Sequence, residues 1–154
     1  MIKLIRTVAC DPNFSKLVML LDAELAERDG DEHSFYQQFN HIESLGHVVL
    51  ILENEKVIGC GAIKELDKDT MEVKRMFVLK DKRGRGLAVS VLSELERWAS
   101  ELGYTSCKLE TGKRQPEAIA LYQRSGYKRI LNYGQYAGVD NSICFEKKLR
   151  LDET

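Results

Sequence analysis

A strand that runs into a glycine- and arginine-rich loop and then into an amphipathic helix places the strongest constraint on the fold of this chain. Residues 71–79 (MEVKRMFVL) predict the strand, and the loop that follows contains KDKRGRG. The next residues are apolar at i, i+3, i+4 and i+7, which defines one face of a helix. That face consists of Ala88, Val91, Leu92, Leu95, Trp98, Ala99 and Leu102, with Gly103 as the residue that ends the helix.

Hydrophobic periodicity predicts the order β-α-α-β-β-β-α-β-α-β-β for the whole chain. Alternating and β-branched residues indicate the strands, and apolar residues at helical spacing indicate the helices. A largely antiparallel sheet that continues into a βαβα unit is a mixed α/β sandwich. The predicted strands are 2–9, 47–52, 56–66, 71–79, 105–111, 127–131 and 142–149, and the predicted helices are 14–29, 34–45, 88–102 and 116–126.

Length and composition narrow the class of protein. The chain has 154 residues, of which 44% are hydrophobic and 31% charged, and we expect a single domain over residues 1–154. The net charge of -1 creates no overall attraction for nucleic acid, so no such partner is expected. The N-terminus is too short and too charged for a signal peptide, and no run approaches a membrane span. We therefore expect a cytoplasmic protein without a membrane partner.

Cysteine and histidine spacing gives no indication of a metal site. The cysteines are far apart and include no CxxC pair, and the histidines lack ligand spacing. Each cysteine lies in an apolar or strand-like run, which predicts small buried thiols. The residues concerned are Cys10, Cys60, Cys107, Cys144, His33, His41 and His47.

The loop before the long helix has the charge of an anion-binding site. Residues 80–85 carry four basic side chains against Asp81, a local net charge of +3. The helix dipole adds about half a positive charge, and glycines allow close approach of a ligand to the backbone. No Walker A run exists, and Val89 occupies the third position of a GxGxxG fingerprint. A pyrophosphate fits this loop, and a solvated basic turn that caps an ordinary helix is the alternative.

Two segments resemble the GNAT superfamily of N-acetyltransferases. The run 83–88 reads R-x-x-G-x-A and resembles the signature [QR]-x-x-G-x-[GA]. QPEAIALYQRSGYKRI resembles the second conserved segment of the family, although Gln115 stands where Asn is common. The resemblance is strongest from 70 to 131. It implies the GNAT fold, with a mixed, largely antiparallel central sheet flanked by helices in the predicted order.

The resemblance implies acetyl-CoA as a cosubstrate, with no metal. The amides of 83–88 would hold the pyrophosphate, with help from Lys82, and the pantetheine arm would lie between the strands at 74–78 and 105–111. A backbone N–H near Met76 to Val78 would bind the oxyanion. The implied contacts with acetyl-CoA are Met76, Phe77, Val78, Arg83, Gly84, Arg85, Gly86, Leu87, Ala88, Gln115 and Tyr122.

Two side chains are implied as catalytic groups. Tyr122 stands where the family has its general acid, and a phenol is protonated at neutral pH. A core tyrosine with a locally bonded hydroxyl is the alternative. Glu72 is the first candidate to take the proton of the amine through water, and Glu110 is the second. For Glu72 the alternative is an edge-strand or solvent-facing glutamate.

The implied acceptor is a primary amine of a small molecule, an amino acid or a protein. The segment 22–32 carries six carboxylates against Arg28, which would attract a cationic amine. The alternative for this segment is a solvated helix end and loop. The loop 131–142 contains Tyr133 and Tyr136, which would line the acceptor pocket or pack against a partner copy. A homodimer is one possible assembly.

Two other functions remain open at this point. A non-catalytic acyl-CoA-binding sensor or regulatory module would keep the loop at 83–88 but would need neither Tyr122 nor Glu72. A nucleotide or nucleic-acid binder is disfavoured, because the charge is balanced and no phosphate loop is complete.

Overall fold

The computed structural model describes residues 1–29 and 46–149, and its elements follow the predicted order. The predicted helix at 34–45 lies outside the described residues. Every other predicted element is present, with each end within about two residues of its expected position. The strands are β1 (Ile2–Thr7), β2 (His47–Glu53), β3 (Lys56–Asp67), β4 (Thr70–Val78), β5 (Ser106–Gly112), β6 (Lys128–Ile130) and β7 (Ser142–Lys148). The α-helices are α1 (Pro12–Asp29), α2 (Leu87–Glu101) and α3 (Pro116–Arg124), and 3-10 turns span Lys80–Lys82 and Gly134–Tyr136.

The seven strands form one sheet in the order β1-β2-β3-β4-β5-β7-β6. All neighbours are antiparallel except β4 and β5, which confirms the expected mixed, largely antiparallel sheet. The parallel pairing of β4 and β5 runs from Thr70–Ser106 to Glu72–Lys108. Both strands continue beyond it, β4 to Val78 and β5 to Gly112, without pairing to each other. The sheet therefore has a gap in its middle.

A β-bulge lies on β4 beside this gap. The pairing of β3 with β4 passes from Cys60–Phe77 to Ala62–Lys74, so one extra residue of β4 faces β3. Arg75 in this bulge has a left-handed backbone with φ of 59°. Such a bulge bends a strand and changes the direction of its side chains and amides. It helps β4 to separate from β5.

Helices cover both faces of the sheet. On one face, Val91, Leu92 and Leu95 of α2 pack in the main core cluster together with residues of α3 and the sheet. On the other face, Phe14 and Leu17 of α1 pack in a second cluster with residues of β2 and β3. Two-sided burial explains why the central strands carry apolar residues on both faces. On the α1 side of the sheet, β4 and β5 also carry polar side chains, such as Lys74 and Glu110, that do not belong to the apolar cluster packed under α1. The cleft described below includes these side chains.

Helix α2 ends one residue before the predicted apolar stripe does. Leu102 is its C-cap and is 45% exposed, so its predicted place on the buried face was wrong. Gly103 has φ of 96°, and its amide donates to the Ser100 carbonyl at 3.0 Å. This left-handed glycine after the helix is the predicted end.

Three of the four cysteines are buried, as predicted. Cys60, Cys107 and Cys144 lie inside the sheet, and burial raises the pKa of each thiol, to about 12, 12 and 11 respectively. Cys10 is exposed, so the prediction was wrong there. It lies in the turn between β1 and α1.

Candidate active site

A cleft of about 570 Å³ lies where β4 and β5 part. It is bounded by α1 on one side of the sheet and by the start of α2 and by α3 on the other. Every residue expected to contact acetyl-CoA lines this cleft, except Arg85. The lining residues from that set are Met76, Phe77, Val78, Arg83, Gly84, Gly86, Leu87, Ala88, Gln115 and Tyr122.

The glycine loop presents backbone amides to the cleft. Gly84 and Gly86 have left-handed backbones with φ of 80° and 77°, and a Cβ on either would meet no atom within 4 Å. Backbone conformation, rather than space, therefore requires glycine at these two positions. The first helical hydrogen bond runs from the Ser90 amide to the Gly86 carbonyl at 3.2 Å. The amides before Ser90 therefore have no carbonyl partner within α2. Such N-terminal amides are the groups that bind anions at the start of a helix.

Arg83 connects the glycine loop to helix α1. Its Nε donates to the Val78 carbonyl at 2.9 Å, and its Nη2 donates to Glu24 Oε1 at 3.0 Å. Its guanidinium lies 5.4 Å from the centre of the Phe77 ring. These three contacts hold a cation at the wall of the cleft, beside the amides of the loop.

Lys82 and Arg85 pair with Glu53 at the end of β2. Lys82 Nζ lies 3.1 Å from Glu53 Oε1, and the Arg85 guanidinium is bonded to the same carboxylate. The hydrogen bonds from Arg85 and then from Lys82 lower the pKa of Glu53 to about 2. Lys82 also lines the cleft, whereas the predicted cofactor contact of Arg85 stays a prediction.

Arg28 joins α1 to α3 across the cleft. Its Nη1 donates to Gln115 Oε1 at 2.8 Å and lies 3.0 Å from Glu117 Oε2. Gln115 is buried, and its Nε2 has no hydrogen-bond partner among residues 1–29 and 46–149. A buried amide donor without a partner is costly, so this group is suited to a ligand that fills the cleft. Sequence reasoning gave Arg28 no such role, because nothing local to α1 indicates contact with α3.

Tyr122 places its phenol at the gap in the sheet. It is 6% exposed, and its ring packs edge-on against Tyr127 and tilted against Phe145, with centroids 5.8 and 6.2 Å apart. Tyr122 is thus part of the core, as its alternative held, and within residues 1–29 and 46–149 no hydrogen bond of its hydroxyl is found. Burial, and then the charge of Glu110, raises the pKa of Tyr122 above its ordinary value. The phenol therefore carries its proton at neutral pH.

The two candidate carboxylates differ in their access to the cleft. Glu72 is buried, with Oε2 accepting from the Tyr133 hydroxyl at 2.6 Å, and does not line the cleft. Its alternative as a solvent-facing glutamate was therefore wrong. Glu110 lines the cleft, and its Oε2 accepts from Ser142 Oγ at 2.7 Å. Of the two, Glu110 is the carboxylate that a ligand in the cleft can reach.

The predicted acceptor loop reaches this polar region. Tyr136 lines the cleft and stacks edge-on with Tyr133, with ring centroids 5.7 Å apart. Burial, and then the charge of Glu72, raises the pKa of Tyr133. Burial, and then the charge of Glu110, raises the pKa of Tyr136. Both tyrosines therefore remain hydrogen-bond donors.

The acidic segment is partly neutralised by basic partners. Asp22 Oδ1 lies 2.6 Å from Arg75 Nη1, and Glu24 pairs with Arg83. Glu27 is exposed on α1. Asp31 and Glu32 lie outside the described residues. The segment therefore has less free negative charge near the cleft than its composition indicates.

Histidines, metal-ligand clusters and membrane-spanning helices make no contribution to the cleft among the described residues. His47 packs edge-on against Trp98 at 4.8 Å, whereas His33 and His41 lie outside the described residues. Across residues 1–29 and 46–149, no set of three metal-ligating side chains has a metal-site arrangement. Within the same ranges, no helix has the length and apolar character needed to cross a bilayer.

Solved structures define the class to which this fold belongs. A crystal structure from Klebsiella pneumoniae, described provisionally as an acyl-CoA N-acyltransferase, is 28% identical and has a TM-score of 0.82, covering 97% of this chain and 99% of its own. A GNAT acetyltransferase from Elizabethkingia anophelis with acetyl-CoA bound shares the fold, with a TM-score of 0.69 at 19% identity, over 96% of this chain and 98% of that one. The profile described as "Acetyltransferase (GNAT) family" matches residues 15–127. The chain belongs to the GNAT acetyltransferase family.

Curated relatives give the same assignment over part of their length. The uncharacterised N-acetyltransferase YjgM of Escherichia coli is 37% identical over 89 residues, which are 55% of this chain and 53% of YjgM. The IAA acetyltransferase of Azospirillum brasilense is 37% identical over 94 residues, or 60% of this chain and 61% of that protein. The chain thus spans a little over half the length of these relatives.

Proposed function

We propose that this protein is an acetyl-CoA-dependent N-acetyltransferase that transfers acetyl directly to a primary amine of a small molecule, an amino acid or a protein. The observation that carries the proposal is one cleft that contains the glycine loop, the Tyr122 phenol and the Glu110 carboxylate. A phosphate cradle alone would serve a binding module. A protonated phenol and a carboxylate in the same gap are what acyl transfer to an amine requires.

The residues present fit acetyl-CoA. The amides at the start of α2, with Lys82 and Arg83 beside them, suit a pyrophosphate. The Nε2 of Gln115 supplies a buried donor farther along the cleft. The backbone of Met76 to Val78 borders the gap and is not paired with β5, so it can bond an extended amide-containing arm. The bound cosubstrate supplies the activated acetyl group.

Each catalytic role follows from the position of a group in the gap. We assign Glu110, rather than Glu72, as the group that takes the proton of the amine, because Glu110 lines the cleft. Glu72 then acts as a positioning residue through its bond with Tyr133. Tyr122 donates its proton to the leaving thiolate. A backbone N–H of Met76 to Val78, past the bulge, stabilises the oxyanion.

The domain extent, the cellular location and the assembly of the protein are also proposals. We propose a single acetyltransferase domain over 1–154 and a cytoplasmic location, and the continuous sheet supports the first of these. A homodimer remains one proposed assembly.

Titration calorimetry followed by turnover measurements tests the function. We expect acetyl-CoA and CoA to bind the wild type, and an Arg83→Ala, Gly86→Glu double variant to lose that binding. Thiol release is then measured with a panel of amines. Binding without turnover of any amine would favour the acyl-CoA-binding module, competition by ATP but not by CoA would favour a nucleotide site, and absence of acetyl-CoA binding would refute the acetyltransferase.

A further inference from the structure

Two side chains of opposite charge line the cleft where the central strands part. The parallel pairing of β4 and β5 places Glu72 beside Lys108 and then stops. Side chains of a strand alternate between faces, so the next residues on this same face are Lys74 and Glu110. Both line the cleft. An ammonium group and a carboxylate thus border the gap from its two edges.

Lys74 has unused capacity to bind an anion. Its side chain is 8% exposed, and its Nζ contacts Glu72 Oε1 at 3.4 Å, which is long for an N–H···O bond. Among the described residues, Glu72 is the ion-pair partner of the Lys74 ammonium. An ammonium has three N–H donors, so this single long contact does not use all of them. Glu72 also accepts from Tyr133 through its other oxygen. Burial of a cation with unfilled donors is costly, which favours an anionic ligand group at this position.

Glu110 offers the complementary charge on the other side of the gap. Ser142 Oγ donates to its Oε2 and so fixes the orientation of the carboxylate. The carboxylate lines the cleft, so the ammonium of a ligand there can reach it. Tyr122, the proposed acid, lines the same cleft. An amine held by Glu110 would therefore lie in the cleft that also holds the proposed acid.

Helix α1 adds an apolar wall near these charges. Leu21 and Leu25 line the cleft from α1, on the side of the sheet that carries Lys74 and Glu110. An acceptor bound between the two charges would place a further substituent against these leucines. The recognition elements are then one cation, one anion and an aliphatic surface.

We propose that the acceptor is an amino acid with an apolar side chain, whose carboxylate binds Lys74 and whose amine lies at Glu110. This inference rests on the proposed N-acetyltransferase function. It excludes simple amines and protein lysines as preferred acceptors, because neither presents a carboxylate next to the reacting amine. A protein N-terminus is excluded for the same reason.

A matched set of acceptors tests this directly on the wild type. Leucine, leucinamide and 3-methylbutylamine share the amine and the aliphatic chain, and only leucine has the carboxylate. We expect kcat/KM for leucine to exceed that of the other two by at least about tenfold, the usual effect of a hydrogen bond to a charged group. Methionine and phenylalanine with their amides extend the comparison. Equal or better turnover of the amides would overturn the inference while leaving the acetyltransferase function intact.

A pair of charge-removing variants locates the carboxylate. Lys74→Met should raise the KM for leucine by at least about tenfold and change the KM for leucinamide less than twofold. Lys74→Arg should restore most of the preference. Lys108→Met is the control, since Lys108 lies on the same face of the sheet but does not line the cleft. An unchanged preference for leucine in Lys74→Met, with normal melting temperature and acetyl-CoA affinity, would contradict the role of Lys74. Failure of every amine to react would instead reject the proposed function, and this inference with it.

Discussion

Arg83 of the glycine loop is paired with Glu24 of helix α1, with Nη2 3.0 Å from Oε1. The pair joins the loop that would bind the pyrophosphate to a helix whose residues line the cleft. Both side chains are partly exposed, at 32% and 23%, so the bond is accessible to competition. An anion that binds the loop must share Arg83 with Glu24 or replace it.

The first prediction concerns this competition. Glu24→Gln removes the carboxylate that competes for Arg83, and we expect acetyl-CoA to bind about two- to fivefold more tightly, the range typical of a partly exposed ion pair. Calorimetric titration at low ionic strength measures the change. Glu27→Gln is the matched control, because it removes the same charge from an exposed position on the same helix. Equal effects of the two variants would show that only the overall charge matters.

The second prediction separates backbone strain from loss of the anion site. Gly86 and Gly103 lie just before and just after α2, both have left-handed backbones, and a Cβ on either meets no atom within 4 Å. A non-glycine residue costs roughly 1–2 kcal/mol in this conformation, so Gly86→Glu and Gly103→Glu should lower the melting temperature by similar amounts. Only Gly86→Glu should weaken acetyl-CoA binding, by at least about tenfold, because its carboxylate meets the amides that receive the pyrophosphate. Comparable loss of binding in Gly103→Glu would argue against the loop as the phosphate site.

The third prediction concerns the acid role of Tyr122. Tyr122→Phe keeps the packed ring and removes the proton donor, so turnover should fall on the order of 100-fold while the KM for acetyl-CoA changes little. Tyr127→Phe is the control, since Tyr127 is also buried and packs edge-on against Tyr122. Steady-state kinetics with thiol detection provides both constants. If Tyr122→Phe retained wild-type turnover, the phenol would have no part in proton donation.

The fourth prediction concerns pH. Burial, and then Glu110, raises the pKa of Tyr122 above the ordinary value near 10, so the folded protein holds this proton more tightly than the unfolded chain does. Turnover should therefore show no loss from Tyr122 deprotonation up to about pH 10. The stability contribution of this phenol is fully present below the pKa of the unfolded chain and decreases as the pH rises above it. A pH–rate profile whose alkaline limb falls below pH 10 and disappears in Tyr122→Phe would contradict this assignment.

The fifth prediction concerns thiol reactivity. Cys60, Cys107 and Cys144 are buried with raised pKa values, whereas Cys10 is exposed. Because the thiolate is the reactive form, brief treatment of the folded protein with iodoacetamide should modify Cys10 alone. Peptide mass spectrometry identifies the site, and Cys10→Ser should abolish the rapid reaction. Rapid modification of Cys144 in the folded protein would show that the 131–142 loop does not cover it.

Local sequence patterns predicted most of the framework. The alternation in β4 and the helical stripe of α2 arise from periods of 2 and 3.6 residues, which short segments display by themselves. The glycine loop could also be predicted from the sequence. Left-handed backbone conformations at glycine and unpaired amides at a helix start depend on residues that are close together in the chain. Gly103 ended α2 as expected, whereas Leu102 did not remain on the buried face.

The contacts across the cleft could not be predicted in this way. Arg28 with Gln115, and Arg83 with Glu24, join residues far apart in the chain. The family resemblance implied Glu72 as the first candidate base, and its catalytic role stays a prediction. The structure buries Glu72 beside Tyr133 and places Glu110, the second candidate, in the cleft. A polar residue on an alternating strand indicates that one face of the strand is polar. The alternation does not indicate which residues elsewhere in the chain contact that face.

The sequence by itself thus determined the order of the described elements, the glycine- and arginine-rich loop before α2 and the family, because these depend on local periodicity and on residues close together in the chain. Only the tertiary structure decided where β4 and β5 stop pairing, and that Lys74 and Glu110 both line the cleft formed there. The physical reason is that strand register and separation arise from packing of both sheet faces against α1, α2 and α3, a balance of non-local contacts that no single segment encodes.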